Sequence, residues 1–233
     1  MMLELVLLTL AGLSALAYLP LTASAPSMGR SGIKTLPLSL FACVALWGGG
    51  PVWLIAGLIL SALGDFALSC TGSDTRSDTE QSRTGSGSAE HAFLLGLVSF
   101  ALAHLCYAIM FWGSVEAVSW PALASLVVLA LSTEVWLVPY TGALRGPVRG
   151  YVLLICVMTG LALSLPAGLR LASLGAVLFL CSDLILSLQL FRMRRNTWQA
   201  RGAGYLLWGL YILGQGAILF AVLGRFGEVW GLS

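Results

Sequence analysis

The stretch Pro51–Cys70 reads PVWLIAGLILSALGDFALSC, twenty residues of which only Asp65 is charged. The stretch Leu171–Phe191 has the same character, with Asp183 as its only charge. An apolar run of about 20 residues is long enough to cross a bilayer. An ionised carboxylate at the centre of such a helix costs about 2.5–3.5 kcal/mol on insertion scales. The two aspartates therefore indicate a membrane protein that keeps two costly groups for its function.

The composition agrees with a membrane protein. Of 233 residues, 58% are hydrophobic and 9% are charged, whereas a soluble domain carries roughly 25% charged residues. We expect an all-α, polytopic fold with eight transmembrane helices, in which residues 1–233 form a single transmembrane domain. The predicted helices are Leu3–Leu19, Ile33–Gly49, Pro51–Cys70, Ala92–Trp112, Val118–Pro139, Val148–Leu165, Leu169–Phe191 and Ala203–Leu223.

The basic residues predict the orientation of the chain in the membrane. Ten of the 12 Lys and Arg residues follow the odd-numbered helices, and only Arg170 and Arg225 lie on the other side. By the positive-inside rule, both termini are expected on the non-cytoplasmic side. The basic segment Arg192–Arg201 fits this rule and is better suited to anionic lipid than to nucleic acid, which we do not expect as a partner. The preference for Arg over Lys favours a bacterial inner membrane.

One segment, Thr71–His91, is rich in Ser, Thr, Gly and Asp and holds one apolar residue, Ala89. It is predicted to be a mobile polar cytoplasmic loop. The five cysteines lie within apolar runs without C-x-x-C spacing, so neither a disulfide framework nor a metal site is expected. No cofactor is predicted, and the sequence leaves the oligomeric state open.

Asp65 and Asp183 are predicted to lie at the same depth in the membrane. Asp65 comes fourteen residues after Pro51, and Asp183 fourteen after Leu169, so each lies about 20 Å along a helix running in the same direction. Two carboxylates that meet in an apolar setting share one proton, which gives one acid and one base. The alternative, in which each aspartate is neutralised separately by hydrogen bonds, stays open.

Further polar side chains fall on the neighbouring predicted helices. His104 and Tyr107 share a face of the fourth helix, and Tyr211 and Gln215 share a face of the eighth. Lys34 lies at the cytoplasmic start of the second helix. Each of these residues could also be a packing or interfacial residue.

Together these residues resemble the lysoplasmalogenases, a family of YhhN-like membrane proteins. The resemblance rests on six short patterns in the family's order. They are Lys34-x-x-Pro37, Ser61-x-x-Gly64-Asp65, the helix-four pattern of Phe93, Gly96, Phe100, Ala103, His104 and Tyr107, then Tyr151, Leu178-Phe179-x-x-Ser182-Asp183, and Tyr211-x-x-x-Gln215.

The resemblance implies hydrolysis of the vinyl-ether bond of a lysoplasmalogen, which yields a fatty aldehyde and a glycerophospho-base. The partners it implies are a lysophospholipid substrate and membrane lipid. Asp65 and Asp183 would be the catalytic pair. The substrate-binding residues would be Lys34, His104, Tyr107, Tyr151, Ser182, Tyr211 and Gln215, with Lys34 at the substrate phosphate.

Two other classes of protein also use membrane-embedded carboxylates. A proton-coupled transporter would use them as a relay and is expected to show inverted repeats or broken helices, for which Gly57, Gly64 and Gly175 are insufficient. An intramembrane aspartyl protease is expected to carry Pro-Ala-Leu after its second aspartate, whereas Pro121-Ala122-Leu123 lies between the two. Both classes are weaker alternatives.

Overall fold

The computed structural model describes residues 2–22, 24, 27–70, 86–194 and 197–230. Within these residues the chain is helical and contains no strand. Eight α-helices follow one another along the chain: α1 (Met2–Tyr18), α2 (Met28–Trp47), α3 (Val52–Cys70), α4 (Ser86–Trp112), α5 (Trp120–Trp136), α6 (Arg145–Leu163), α7 (Arg170–Phe191) and α8 (Trp198–Trp230).

The eight predicted helices agree in number with the eight α-helices of the described chain. Not all of them qualify as membrane spans. Seven helical segments of the described chain are long and apolar enough to cross a membrane, and α2 is the helix that does not qualify. Its first half carries Arg30 and Lys34 among small polar residues. The protein is therefore an integral multi-pass membrane protein, in which α2 combines a polar first half with an apolar second half.

Several predicted boundaries need correction. The eighth helix was predicted over Ala203–Leu223, but α8 runs from Trp198 to Trp230. We expected the second helix to begin at Ile33, but α2 begins at Met28 because the Ser27 side chain accepts a hydrogen bond from the Arg30 backbone N–H at 3.2 Å. The polar loop was expected to extend to His91, but α4 already begins at Ser86. Hydropathy alone misses these helical turns because they are polar. The remainder of that loop, residues 71–85, lies outside the described residues.

The predicted break between the second and third helices is confirmed. α2 ends at Trp47, and Gly49 has φ +66°, a left-handed conformation that glycine adopts without strain. Pro51 lies just before the first residue of α3, where its missing N–H does no harm. Consecutive helices therefore run in opposite directions, and the end of the bundle where α3 and α7 finish and α2 and α6 begin is called the basic end below.

The helices pack as two corresponding halves, α1–α4 and α5–α8. In each half the first helix packs on the second, the second on the third and the third on the fourth. The halves join where α4 packs on α6 and where α8 packs on α2. Six helices thus close a ring in the order α2, α3, α4, α6, α7 and α8, while α1 and α5 lie outside it on α2 and α6.

Glycines bring the third and fourth helix of each half close together. Gly57 lies eight residues before Asp65, and Gly175 lies eight residues before Asp183. A Cβ at Gly57 would come within 2.5 Å of the Tyr107 ring on α4, and one at Gly175 within 2.6 Å of the Gly214 carbonyl oxygen on α8. These glycines therefore permit the two most extensive helix contacts in the described chain, α3 with α4 and α7 with α8.

Replacement of Gly175 by alanine is expected to lower the free energy of unfolding by about 1–3 kcal/mol, because backbone atoms of α8 occupy the space that the Cβ needs. Gly209→Ala is the matched control, since nothing lies within 4 Å of a Cβ at Gly209 on α8. The control should be neutral or raise stability slightly, by up to about 1 kcal/mol. Thermal unfolding in detergent measures both, and equal melting temperatures would show that the contact is not tight.

Candidate active site

Asp65 on α3 is bound by side chains from two other helices. The Tyr211 hydroxyl of α8 donates a hydrogen bond of 2.8 Å to Asp65 Oδ2. The Lys34 Nζ of α2 lies 3.5 Å from Asp65 Oδ1. Asp65 is 2% exposed and Lys34 is 7% exposed, so this ion pair is shielded from solvent. The pair gives Lys34 a carboxylate partner that the sequence did not predict, and a phosphate contact for Lys34 stays a prediction.

Asp183 on α7 has a corresponding set of neighbours, a tyrosine and a histidine. The Tyr151 hydroxyl of α6 donates a hydrogen bond of 2.5 Å to Asp183 Oδ2. The His104 Nε2 of α4 lies 3.5 Å from the same oxygen. The His104 Nδ1 is 2.7 Å from the Phe100 carbonyl oxygen, so Nδ1 carries a proton and donates it to that carbonyl. In a neutral ring, Nε2 is therefore the acceptor and faces Asp183.

The two aspartates occupy corresponding positions in the two halves. Each receives one side chain from the helix before it and one from the last helix of the opposite half, as Lys34 and Tyr211 do at Asp65. Tyr211 bonds Asp65, and His104 approaches Asp183. The Phe179 ring contacts both Tyr211 and His104. Its centroid lies 5.4 Å from that of the Tyr211 ring and 4.6 Å from that of the His104 ring. The structure thus brings both aspartates into one buried site.

A second polar layer lies about one helical turn farther from the basic end. The Tyr107 hydroxyl donates to Gln215 Oε1 at 2.6 Å, and Gln215 Nε2 donates to Ser61 Oγ at 3.0 Å. All three side chains are fully buried. Ser61 precedes Asp65 by four residues, which places both on one face of α3. These hydrogen bonds therefore link α3, α4 and α8 on the side of Asp65 that faces away from the basic end.

Ser182, like His104, bonds a carbonyl oxygen of its own helix. Its hydroxyl donates to the Phe179 carbonyl oxygen at 2.8 Å, and the residue is 1% exposed. All nine predicted site residues thus lie in or beside one cluster at the centre of the ring. Ser61 and Phe179 belong to two of the family motifs but were not predicted as site residues. Their spacing of four residues from the two aspartates was the available signal.

Asp183 also borders a narrow crevice between the outer helix α5 and the ring, called the α5–α7 crevice below. Its walls include Leu129 and Thr133 of α5, Val152 and Cys156 of α6, and Leu180 and Leu184 of α7. The crevice is the apolar side of the Asp183 environment. It was not predicted, because it depends on how loosely α5 packs in three dimensions.

These features define a class: an integral membrane protein with a buried pair of carboxylates, each held by side chains from other helices. The model of the YhhN family matches residues 29–222, which is most of the chain. The chain therefore belongs to the YhhN family, the family that includes lysoplasmalogenases. Neither curated proteins nor solved structures gave a match.

Proposed function

We propose that this protein is a lysoplasmalogenase, which hydrolyses the vinyl-ether bond of a one-chain ether phospholipid to a fatty aldehyde and a glycerophospho-base. The observation that carries the proposal is the unequal pair Asp65 and Asp183, two buried carboxylates of which Asp65 faces the Lys34 ammonium and Asp183, among the described residues, faces Tyr151 and His104. Vinyl-ether hydrolysis needs one group that gives a proton and one that accepts a proton from water. Membership of the YhhN family supports the same reaction.

Asp65 is proposed to be the ionised member of the pair. The Lys34 ammonium, 3.5 Å away, balances its negative charge, and the Tyr211 hydroxyl donates a further hydrogen bond. Both interactions stabilise a carboxylate and not a carboxylic acid. Asp65 would therefore stabilise the cationic intermediate and accept a proton from the attacking water.

Asp183 is proposed to carry the proton. Its described neighbours include no Lys or Arg side chain in ion-pair contact, and His104 presents an acceptor nitrogen to it. With its proton on Nδ1, a neutral His104 ring offers Asp183 an acceptor nitrogen 3.5 Å away. A carboxylic acid can donate its proton to that nitrogen, whereas a carboxylate cannot. Tyr151 and His104 then act as positioning residues that orient this acid.

The reaction follows from these two states. Asp183 transfers its proton to the outer alkene carbon of the vinyl ether, which leaves an oxocarbenium ion beside the Asp65 carboxylate. Water adds to the cationic carbon and gives a proton to Asp65, forming a hemiacetal. The hemiacetal then breaks: Asp65 returns its proton to the departing glycerol oxygen, and Asp183 takes the hydroxyl proton. Aldehyde and alcohol leave, and both aspartates regain their starting states.

A proton-coupled transporter is the second candidate, because the two halves with a carboxylate each resemble the parallel repeats of some transporters. Transporter sites are typically built from interrupted helices. Here α3 and α7 continue without a break through Asp65 and Asp183. We therefore favour the hydrolase. We also propose the orientation with both termini on the non-cytoplasmic side and a location in a bacterial inner membrane.

Replacement of either aspartate by asparagine is expected to abolish turnover. Asp65→Asn and Asp183→Asn keep the side-chain volume but remove the base or the acid, so each should lower kcat by at least about 10²–10⁴-fold. Aldehyde release by purified protein from lysoplasmalogen measures this, with an ester-linked lysophospholipid as the control substrate. Substantial aldehyde release by either folded variant would exclude the mechanism, and none by the wild type would exclude the function.

The protonation states can be tested without substrate. A protonated carboxylic acid has an infrared carbonyl band that a carboxylate lacks. We expect this band to disappear in Asp183→Asn and to remain in Asp65→Asn, because only Asp183 carries a proton in the resting enzyme. The reverse result would exchange the two roles.

Lys34→Met is expected to lower kcat at least about tenfold with little change in KM, because removing one partner of a buried ion pair leaves the other charge unbalanced. Lys34→Arg keeps the charge and should retain more activity. Steady-state kinetics on lysoplasmalogen decide the point. A raised KM with an unchanged kcat would instead assign Lys34 to the substrate phosphate, as the family resemblance implies.

A further inference from the structure

We propose that the α5–α7 crevice binds the single hydrocarbon chain of the substrate and is the path by which the lipid reaches Asp183 from the bilayer. This inference rests on the proposed function and adds to it a binding site for the chain. The crevice joins the outer surface of the bundle to the one aspartate that is proposed to give the proton.

The chemistry of the crevice suits one alkyl chain, but its free volume is only about 20 Å³, so a chain enters it only when α5 moves outward. Its α7 wall runs from Leu180 to Ser187, a rise of about 10 Å along a helix axis. Asp183 lies between these two ends. Most of the remaining wall is aliphatic, such as Leu129 of α5 and Ile155 of α6. A chain buried there loses contact with lipid but gains packing contacts beside the reacting group.

The crevice opens sideways because α5 is the most loosely attached helix of the second half. In the described part of the chain α5 packs on α6 and makes at most marginal contact with α7, although both line the crevice. The opposite face of α5 is exposed, with Val128, Leu131 and Val135 each at least 65% exposed. A small outward movement of α5 would therefore open the crevice to lipid without disturbing the ring.

The direction of the bound lipid follows from the ends of the crevice. At the basic end, Arg192 donates to the Trp136 carbonyl oxygen at 3.2 Å and lies 4.0 Å from the Tyr140 ring centroid. This guanidinium spans the gap between the ends of α5 and α7 and is exposed. A phosphate belongs at that charged end, and the hydrocarbon tail belongs at the deeper end near Leu129 and Cys156. The vinyl ether between them then lies at the level of Asp183.

In the described residues, the first half is packed more closely at the corresponding place. Its helices α2 and α3 pack far more closely than their counterparts α6 and α7. Ala11, Ala15 and Tyr18 of α1 are buried. The side chain that corresponds to Tyr151 is Lys34, which is buried against Asp65. The two halves thus differ in the packing around their aspartates.

Bulky substitutions at the deep end of the crevice test the proposal. Cys156→Phe and Leu129→Trp should lower kcat/KM about tenfold or more for a long-chain lysoplasmalogen and leave a short-chain one much less affected, since only the long chain needs the filled space. The matched controls are Val157→Phe and Val128→Trp, which lie next to them on the exposed faces of α6 and α5. An unchanged chain-length profile in folded crevice variants would overturn the proposal.

A binding experiment separates this proposal from the proposed chemistry. A lysophosphatidylethanolamine with a photoreactive group in its chain is cross-linked to the inactive Asp183→Asn protein in detergent. We expect labelled peptides that contain crevice residues of α5, α6 and α7, and loss of that labelling in the Cys156→Phe background. Labelling only at exposed residues such as Val128 and Val157 would exclude the crevice. Crevice labelling combined with a wild-type protein that releases no aldehyde would exclude the hydrolase but keep the chain site.

Discussion

The need to stabilise a charge inside the membrane determines much of this structure. An isolated carboxylate at that depth is costly, so Asp65 and Asp183 each require donors from other helices. Lys34 and Tyr211 meet this need at Asp65, and they come from α2 and α8. These bonds join the two halves of the ring, because a donor on the last helix of one half reaches the aspartate of the other. The same interactions that hold the helices together therefore define the site.

The two halves have the same plan but differ around their carboxylates. In the first half the neighbour on the second helix is a cation, Lys34, and the helices are closely packed. In the second half the corresponding neighbour is a phenol, Tyr151, and the outer helix is loose. One plan thus yields a closed environment suited to a permanent charge and an open, apolar environment suited to a neutral acid. This difference is the physical basis of the division of roles proposed for the pair.

The sequence predicted the helices and the level of the two aspartates because hydropathy and a rise of 1.5 Å per residue determine both. It did not predict the start of α2 or α4, since Ser27 and Ser86 open polar turns that hydropathy scores as loop. The correspondence of the halves was also missed. Asp65 and Asp183 are 118 positions apart. The two helices that carry them share little sequence beyond a glycine eight residues before each aspartate. Partner choice, such as Lys34 with Asp65, depends on helix packing that one sequence does not specify.

The polar layer of Tyr107, Gln215 and Ser61 has a consequence for energy conservation in the cell. On its far side the ring is filled by apolar side chains, among them Leu58 of α3 and Ile218 of α8, both with 0% exposure. Between α3 and α8, in the described chain, the layer is thus followed by apolar packing that offers protons no hydrogen-bonded path. The hydrolysis proposed above would then move protons on the basic side of this packing, without short-circuiting the ion gradient that the membrane maintains.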